Sequence, residues 1–325
     1  MKLLTKTLVP IALMAAAAAG AQDFPAKPIT IVVPFAPGPT DLVARQLAEA
    51  MRKPLGNATI VIENAAGAGG TIGANKVARA PADGYTLLVY HIGMATSPAL
   101  YRNLPYKPLD AFEYVGLINE VPMTLIGRPT LPANNWAELT KWMESNKGKI
   151  NLANAGLGAA SHLCGLLFQS ALKLDMTTVP YKGTGPALTD LIGGQVDLMC
   201  DQTTNTTAQI EGKKVKAFAV TTDQRLKTAA LKDLPTLQEV GLKDFEVNIF
   251  HGLYAPKGTP APVLKKLNDA LKVALKDPDF LRRQGELGAV VVNDNRVEPA
   301  EHKKFVASEI NKWTPVIRAA GVYAD

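Results

Sequence analysis

Hydrophobic positions along this chain switch repeatedly between strand-like runs and helical spacing. Ile29-Thr30-Ile31-Val32-Val33 is a continuous β-branched run closed by Pro34, the pattern of a parallel strand buried on both faces. After the loop Ala36-Pro37-Gly38-Pro39, Thr40 stands as N-cap of a helix through Met51, with Leu42, Val43, Gln46, Leu47 and Ala50 on one face. A strand is predicted over residues 59–62. A helix over 71–80 follows the glycines of 67–70, and a strand over 85–90 follows the Asp83-Gly84 turn.

The pattern then restarts. Residues 121–127 read as a strand able to leave the first half, 136–147 as a helix and 150–153 as a strand. The small-residue loop 154–160 precedes a helix over 161–171 and a strand over 177–181. Lys182-Gly183-Thr184-Gly185 reads as a turn, with Pro186 at the first position of a helix reaching Ile192. Strands over 196–200 and 216–221, an extended stretch over 245–255, and helices over 261–275 and 299–320 complete the chain. Alternating strands and helices give an α/β fold with mainly parallel sheets. Two similar halves without a low-complexity linker give two lobes joined by crossing strands, with a cleft between them.

The N-terminus changes the compartment. Lys2 and Lys6 precede an apolar run from Leu8 to Ala19, and Ala19-Gly20-Ala21 fits a signal-peptidase site, so residues 1–21 read as a cleaved signal peptide. The run is short for a bilayer span. Without Lys2 and Lys6 the 35 basic residues fall to 33 against 29 acidic, a net charge of +4 that suits an anionic ligand. The basic residues are scattered and aromatics make up 6%, which argues against a nucleic-acid stripe. Cys164 and Cys200 read as a disulfide or as two buried thiols. The four histidines show no metal-ligand spacing.

Candidate chemistry lies in the loops. Ligands of open α/β sheets bind at the carboxyl ends of strands, where helix N-termini present free N–H groups and partial positive charge. The loop before the first helix keeps the N–H groups of Gly38, Thr40 and Asp41; Asn154 to Ala160, before Ser161, has the same setting in the second half. Two such loops face to face would grip both ends of a dicarboxylate; alternatively they are βα loops with small residues for packing. Gly67 to Gly73 lacks the third glycine of a dinucleotide fingerprint, so no cofactor is expected. Adjacent helical residues point about 100° apart, so Ser161 and His162 do not form a nucleophile pair, and His162 reads as support for its loop. Asp201 either meets a ligand amine, hydroxyl or water, or is a solvated or capping aspartate. Tyr181 either walls the cleft or packs in the core.

Several stretches together resemble one family. They are 33–41 with Ala44-Arg45, Glu63-Asn64 with Gly67-Ala68-Gly69-Gly70, 80–88, and Leu104-Pro105-Tyr106. Ser161-His162-Leu163, 179–183, 194–199, Ala255-Pro256 and Gly258-Thr259-Pro260 follow in order. This set is similar to the periplasmic binding proteins of tripartite tricarboxylate transporters, the TctC or Bug proteins. The resemblance implies a two-lobe flytrap, with lobe I over 24–124 plus 246–325 and lobe II over 125–245. It implies a monomeric receptor that does no chemistry on its ligand, a small carboxylate, and delivers it to a large and a small membrane subunit. The site it implies comprises Phe35, Ala36, Gly38, Thr40 and Asp41 on the first loop, with His91. On the opposite side come Asn154, Gly158, Ala159, Ser161, Tyr181, Gly183 and Asp201.

The chain departs from the family pattern in three places. Pro37-Gly38-Pro39 is one residue short, Ala159 replaces a common serine, and Ile249-Phe250-His251 lacks a tryptophan often found there. A less polar second loop favours a longer or more apolar acid over an amino acid.

Overall fold

The computed structural model describes residues 24–319, 321, 323 and 324; the expected signal peptide, 1–21, lies outside the described residues. The elements of the first part are β1 (Ile29–Val33), α1 (Pro39–Arg52), β2 (Ile60–Asn64), α2 (Thr71–Ala78), β3 (Thr86–His91), α3 (Gly93–Leu100), α4 (Pro108–Ala111) and β4 (Phe112–Gly127). The middle contains α5 (Trp136–Ser145), β5 (Asn151–Asn154), α6 (Ala160–Leu172), β6 (Thr177–Pro180), α7 (Thr184–Ile192), β7 (Leu198–Gln202), α8 (Thr203–Glu211) and β8 (Lys216–Val220). The chain ends with β9 (Asn248–Pro256), α9 (Ala261–Ala274), α10 (Pro278–Glu286), β10 (Val290–Val291) and α11 (Pro299–Ala319).

The fold is two-lobed α/β. Ile29, Ile31, Val32 and Val33 of β1 are fully buried, as a parallel strand between helical layers requires. Parallel pairing holds β2-β1-β3 in one lobe and β6-β5-β7 in the other. Antiparallel β9 and β4 complete the path β2-β1-β3-β9-β4-β7-β5-β6, and β10 and β8 add to β4.

β4 joins the lobes. Its 16 residues extend roughly 50 Å at about 3.3 Å per residue. Phe112 to Pro122 pairs with β9 in lobe I, and Met123 to Gly127 pairs with β7 and β8 in lobe II. The change of partner falls at Pro122, which has no N–H to give to a ladder. The return crossing lies beside it: Val247 N–H donates to Thr221 O (3.0 Å), and Thr221 Oγ1 donates to Val247 O (2.7 Å).

Three local expectations are corrected. Gly38, not Thr40, caps α1, because Pro39 occupies the first helical position and Thr40 is already inside the helix. Pro186 stands third in α7 rather than first, since the helix begins at Thr184. The strand expected at 121–127 begins nine residues earlier, at Phe112. Helices α3, α4, α8 and α10 are additional to the elements the sequence predicts. α3 is buried almost all round, so it carries no amphipathic period, and α8 opens on Thr203-Thr204-Asn205-Thr206-Thr207, residues of weak helix propensity.

One apolar core runs through both lobes; a smaller one beneath α7 gathers Ile126, Leu188, Leu191 and Met199. Among the described residues no helix is long and apolar enough to cross a membrane.

Candidate ligand-binding site

The lobe I wall is the loop between β1 and α1. Asn64 at the end of β2 donates to Phe35 O (2.9 Å) and to Asp41 Oδ1 (2.9 Å), tying the loop to its helix. Arg45, one turn on, closes on the Asp41 carboxylate through Nε (2.8 Å) and Nη2 (3.0 Å). The Asp41 side chain is therefore used in bracing the loop, and its backbone N–H, with that of Thr40, is left without a helical acceptor. The Phe35 ring stacks on His91 at 4.5 Å between centroids. His91 Nδ1 accepts from Gly93 N–H (2.9 Å), so the neutral ring carries its proton on Nε2.

Thr40 opens a buried hydrogen-bond chain. Its Oγ1 contacts His251 Nε2 (3.2 Å), and His251 Nδ1 donates to Asn119 Oδ1 (2.9 Å). Asn119 Nδ2 donates to Gln284 Oε1 (2.6 Å), and Gln284 Nε2 donates to Gln46 Oε1 (2.6 Å). With Asn119 Oδ1 as acceptor, His251 keeps its proton on Nδ1 and takes one from Thr40. The chain leaves α1 at Thr40, passes through β9, β4 and α10, and returns to α1 at Gln46, fixing the helix on lobe I.

Lobe II supplies three helix starts. In the loop between β5 and α6, Asn154 Oδ1 accepts from Gly156 N–H (2.9 Å) and Ser161 Oγ accepts from Ala155 N–H (2.8 Å). His162 Nδ1 accepts from Gly158 N–H (3.1 Å), so the histidine holds its own loop and makes no pair with Ser161. Gly156 and Gly158 have φ of 117° and 84°, values that only glycine takes without strain. α7 begins at Thr184 behind Gly183, and α8 begins at Thr203 behind Gln202.

These pieces enclose a cavity of about 10 Å³, near the size of one water. Its lobe I wall is Phe35, Ala36, Pro39, Thr40 and His91. Its lobe II wall is Ala155, Ala159, Ala160 and Ser161, with Thr184, Asp201 and Gln202. Four helix N-termini, those of α1, α6, α7 and α8, thus converge on one small space. Each carries about half a positive charge, so together they supply on the order of two. Among the described residues no lysine or arginine lines the cavity.

Two titratable groups do. Burial lowers the His91 imidazole to about 3, which keeps it neutral, and burial raises the Asp201 carboxyl to about 7. Asp201 is 1% exposed; Asn205 Nδ2 donates to its Oδ2 (2.8 Å) and Thr184 Oγ1 donates to its Oδ1 (3.4 Å).

Seven of the sequence-expected residues line the cavity: Phe35, Ala36, Thr40, His91, Ala159, Ser161 and Asp201. The others stand around it. Gly38 and Gly183 lie where the lobes touch, with Gly183 against Ala36 and Gly38 facing Thr184. Asn154 shapes its loop, and Gly158 packs against the Tyr101 ring. Tyr181 donates from its hydroxyl to Asp190 Oδ2 (2.7 Å) and walls a second crevice of about 240 Å³, together with Gly69, Tyr101, Leu157 and Lys182. Sequence reading missed Thr184 and Gln202. The expected strand stopped at Cys200 rather than Gln202, and the expected helix began at Pro186 rather than Thr184, so neither residue stood at an element end. Cys164 and Cys200 form a disulfide that joins α6 to β7, the elements bearing Ser161 and Asp201.

A two-lobe α/β fold whose helix starts surround an interlobe cavity defines a solute-binding protein. The sequence pattern of the tripartite tricarboxylate transporter family receptor matches residues 43–322, and the chain belongs to that family. The solved structure of the periplasmic binding protein BugD is 52% identical, with a TM-score of 0.89 over 92% of this chain and 99% of that one. MatC from Rhodopseudomonas palustris, solved with bound malate, is 42% identical, with a TM-score of 0.86 over 90% of this chain and 100% of that one. Rpa4515 from R. palustris, solved with adipate, is 32% identical, with a TM-score of 0.87 over 93% of this chain and 99% of that one.

Proposed function

We propose that this protein is a non-enzymatic extracytoplasmic receptor. It captures a small dicarboxylate between its lobes and delivers it to the large and small membrane subunits of a tripartite transporter. The convergence of four helix N-termini on a cavity without a cationic side chain carries this reading: backbone N–H groups and helix dipoles match a ligand of two negative charges. Relatives solved with malate and with adipate support the same ligand class. In this reading lobe I comprises about 24–124 and 246–325, lobe II comprises about 125–245, and the hinge lies at these two boundaries, where β4 and the return strand cross. Residues 1–21 direct the chain to the periplasm, where it acts as a monomer.

One carboxylate is held by the N–H groups of Thr40 and Asp41, with Phe35, Ala36, Gly38 and His91 around it. The other is held by the starts of α6 and α7, with Ser161, Ala159 and Asp201 nearby. Asn154, Gly158, Tyr181 and Gly183 shape the closing surfaces. A cavity of about 10 Å³ does not admit such an acid without separation of the lobes, so capture requires hinge opening.

The test is a thermal-shift panel of mono-, di- and tricarboxylates, aromatic acids and amino acids on the mature protein. Binding to the native state raises the melting temperature by mass action, so malate or adipate at 100 times its Kd adds about 2.7 kcal/mol. A panel in which no carboxylate shifts the transition, or only amino acids do, overturns the reading. Loss of labelled dicarboxylate uptake on deleting the gene tests delivery.

A further inference from the structure

Asp201 sits in the wall of a cavity built for anions, which is the wrong place for a third negative charge. We infer that Asp201 serves this site as the uncharged acid, so that capture of a dicarboxylate dianion above neutral pH takes up one proton. The inference rests on the dicarboxylate reading and deepens it, since it fixes the charge state of the complex.

The surroundings of Asp201 are neutral on every side. From α7 it faces Thr184, and from α8 Asn205. From β4, Thr124 Oγ1 contacts its backbone carbonyl (3.3 Å) and the Thr206 hydroxyl (2.7 Å). Across the cavity stand Thr40 of α1 and Ser161 of α6, and from β3 the His91 ring, kept neutral by burial. Arg45, the cation nearest in sequence to the lobe I wall, is bound to Asp41. His251 lies behind Thr40 and is also held neutral by burial.

Charge balance then decides the form of the acid. The four helix starts supply about two positive charges, which a dianion alone offsets. An ionised Asp201 would leave one uncompensated negative charge in an enclosed, poorly solvated space. Burial has already raised this carboxyl to about 7 in the free protein, and a dianion beside it raises it further. The balance is ligand dianion plus Asp201 carboxylate plus one proton from solvent, giving ligand dianion beside Asp201 carboxylic acid.

The test is isothermal titration of the mature protein with L-malate and with adipate, in HEPES and in Tris, whose ionisation heats differ. At pH 8 the heats should differ by the amount that one proton per ligand requires, and at pH 6 the difference should nearly vanish. Above pH 8 the Kd should weaken about tenfold per pH unit. Asp201→Asn, which mimics the neutral acid, should show no buffer dependence and a flat Kd from pH 6 to 8.5. Saturable binding with equal heats in both buffers at pH 8 overturns the inference even if the variant fails to fold. Undiminished proton uptake in Asp201→Asn also overturns it. The absence of saturable heat with either acid at every pH instead removes the dicarboxylate reading, and the inference with it.

Discussion

The Tyr101 hydroxyl of lobe I donates to the Leu157 carbonyl of lobe II at 2.7 Å, and so spans the cleft directly. The contact is possible because glycine stands on both sides. A Cβ on Gly69 would overlap Leu157 O, and a Cβ on Gly158 would come within 2.9 Å of the Tyr101 ring. Across the cavity a second seam repeats the arrangement, with Gly183 against Ala36 and Gly185 against Pro37 O. The glycines of 67–70, whose spacing falls short of a dinucleotide fingerprint, are thus one edge of a closing surface.

Closure therefore has a hydrogen bond that can be removed alone. Tyr101→Phe keeps the ring against Gly158 and loses the hydroxyl that donates to Leu157 O, at a net cost of about 1 kcal/mol. Ligand affinity should fall about fivefold, through faster release, with little change in the melting temperature of the free protein. Gly69→Ala should weaken affinity more, because it obstructs the closed state itself. Titration and stopped-flow dissociation check both. Wild-type affinity in Gly69→Ala would show that the seam does not control capture.

The Cys164–Cys200 disulfide closes a loop of sequence separation 36. By loop entropy such a bridge is worth about 3–4 kcal/mol. Reduction, or the Cys164→Ser/Cys200→Ser double variant, should lower the melting temperature by several degrees. Because the bridge ties the helix of Ser161 to the strand of Asp201, ligand affinity should fall as well. Calorimetry with and without reductant reads the first effect and titration the second; a reductant-insensitive melting temperature would refute the stabilising role.

Much of the fold is legible in the sequence because its strands are short apolar runs bounded by Pro, Gly and Asn. β1 was read to the residue. β4 was half hidden: Gly116, Asn119 and Glu120 interrupt its apolar run, and Asn119 is buried only because His251 and Gln284 arrive from elsewhere to satisfy it. The site was legible where a loop preceded a helix start, as at Phe35 to Thr40. It was illegible at Thr184, because α7 begins two residues before the expected Pro186, and at Gln202, because α8 opens on threonines of weak helix propensity and carries no sequence signal. The bracing of Asp41 by Arg45 and Asn64 has a local half, the four-residue spacing to Arg45, and a non-local half that only the fold supplies.

All four histidines are buried, and burial lowers the pKa of each: His91 and His302 to about 3, His162 to about 4, and His251 well below its usual value. A lowered folded pKa means that the unfolded chain binds the proton more readily. Their contribution is present above about pH 6.5 and is lost as pH falls, at up to about 1.4 kcal/mol per histidine per pH unit. Asp201 has the opposite sign: its folded value is raised to about 7, so its contribution is full below about pH 4 and lost as pH rises through 7. Four histidines outweigh one carboxyl, so the ligand-free protein should gain stability from about pH 4 to about pH 8 and level off above that. Asp201→Asn removes the opposing carboxyl contribution, so it should steepen the rise of a melting-temperature profile between about pH 4 and 7. A variant less stable than wild type at pH 8 would show that the ionised carboxylate is stabilising after all.

The chain from Thr40 through His251, Asn119 and Gln284 to Gln46 makes a prediction that separates stability from binding. Asn119 is fully buried between two partners, and Asn119→Leu would orphan both His251 Nδ1 and Gln284 Oε1. Each unpaired buried group costs about 1–3 kcal/mol, so the variant should lose several kcal/mol of unfolding free energy, or fail to accumulate. Thr40→Val keeps the side-chain shape and orphans only the acceptor at His251 Nε2, a milder loss of about 1–2 kcal/mol. Its effect on binding should be larger than its effect on stability, because it frees the first turn of α1, whose N–H groups face the ligand. Denaturant unfolding and ligand titration of the two variants check this. If Thr40→Val lost stability but bound malate or adipate as tightly as wild type, the chain would be part of the core alone, and the aim of α1 at the cavity would be set by Pro39 and the Asp41–Asn64 brace.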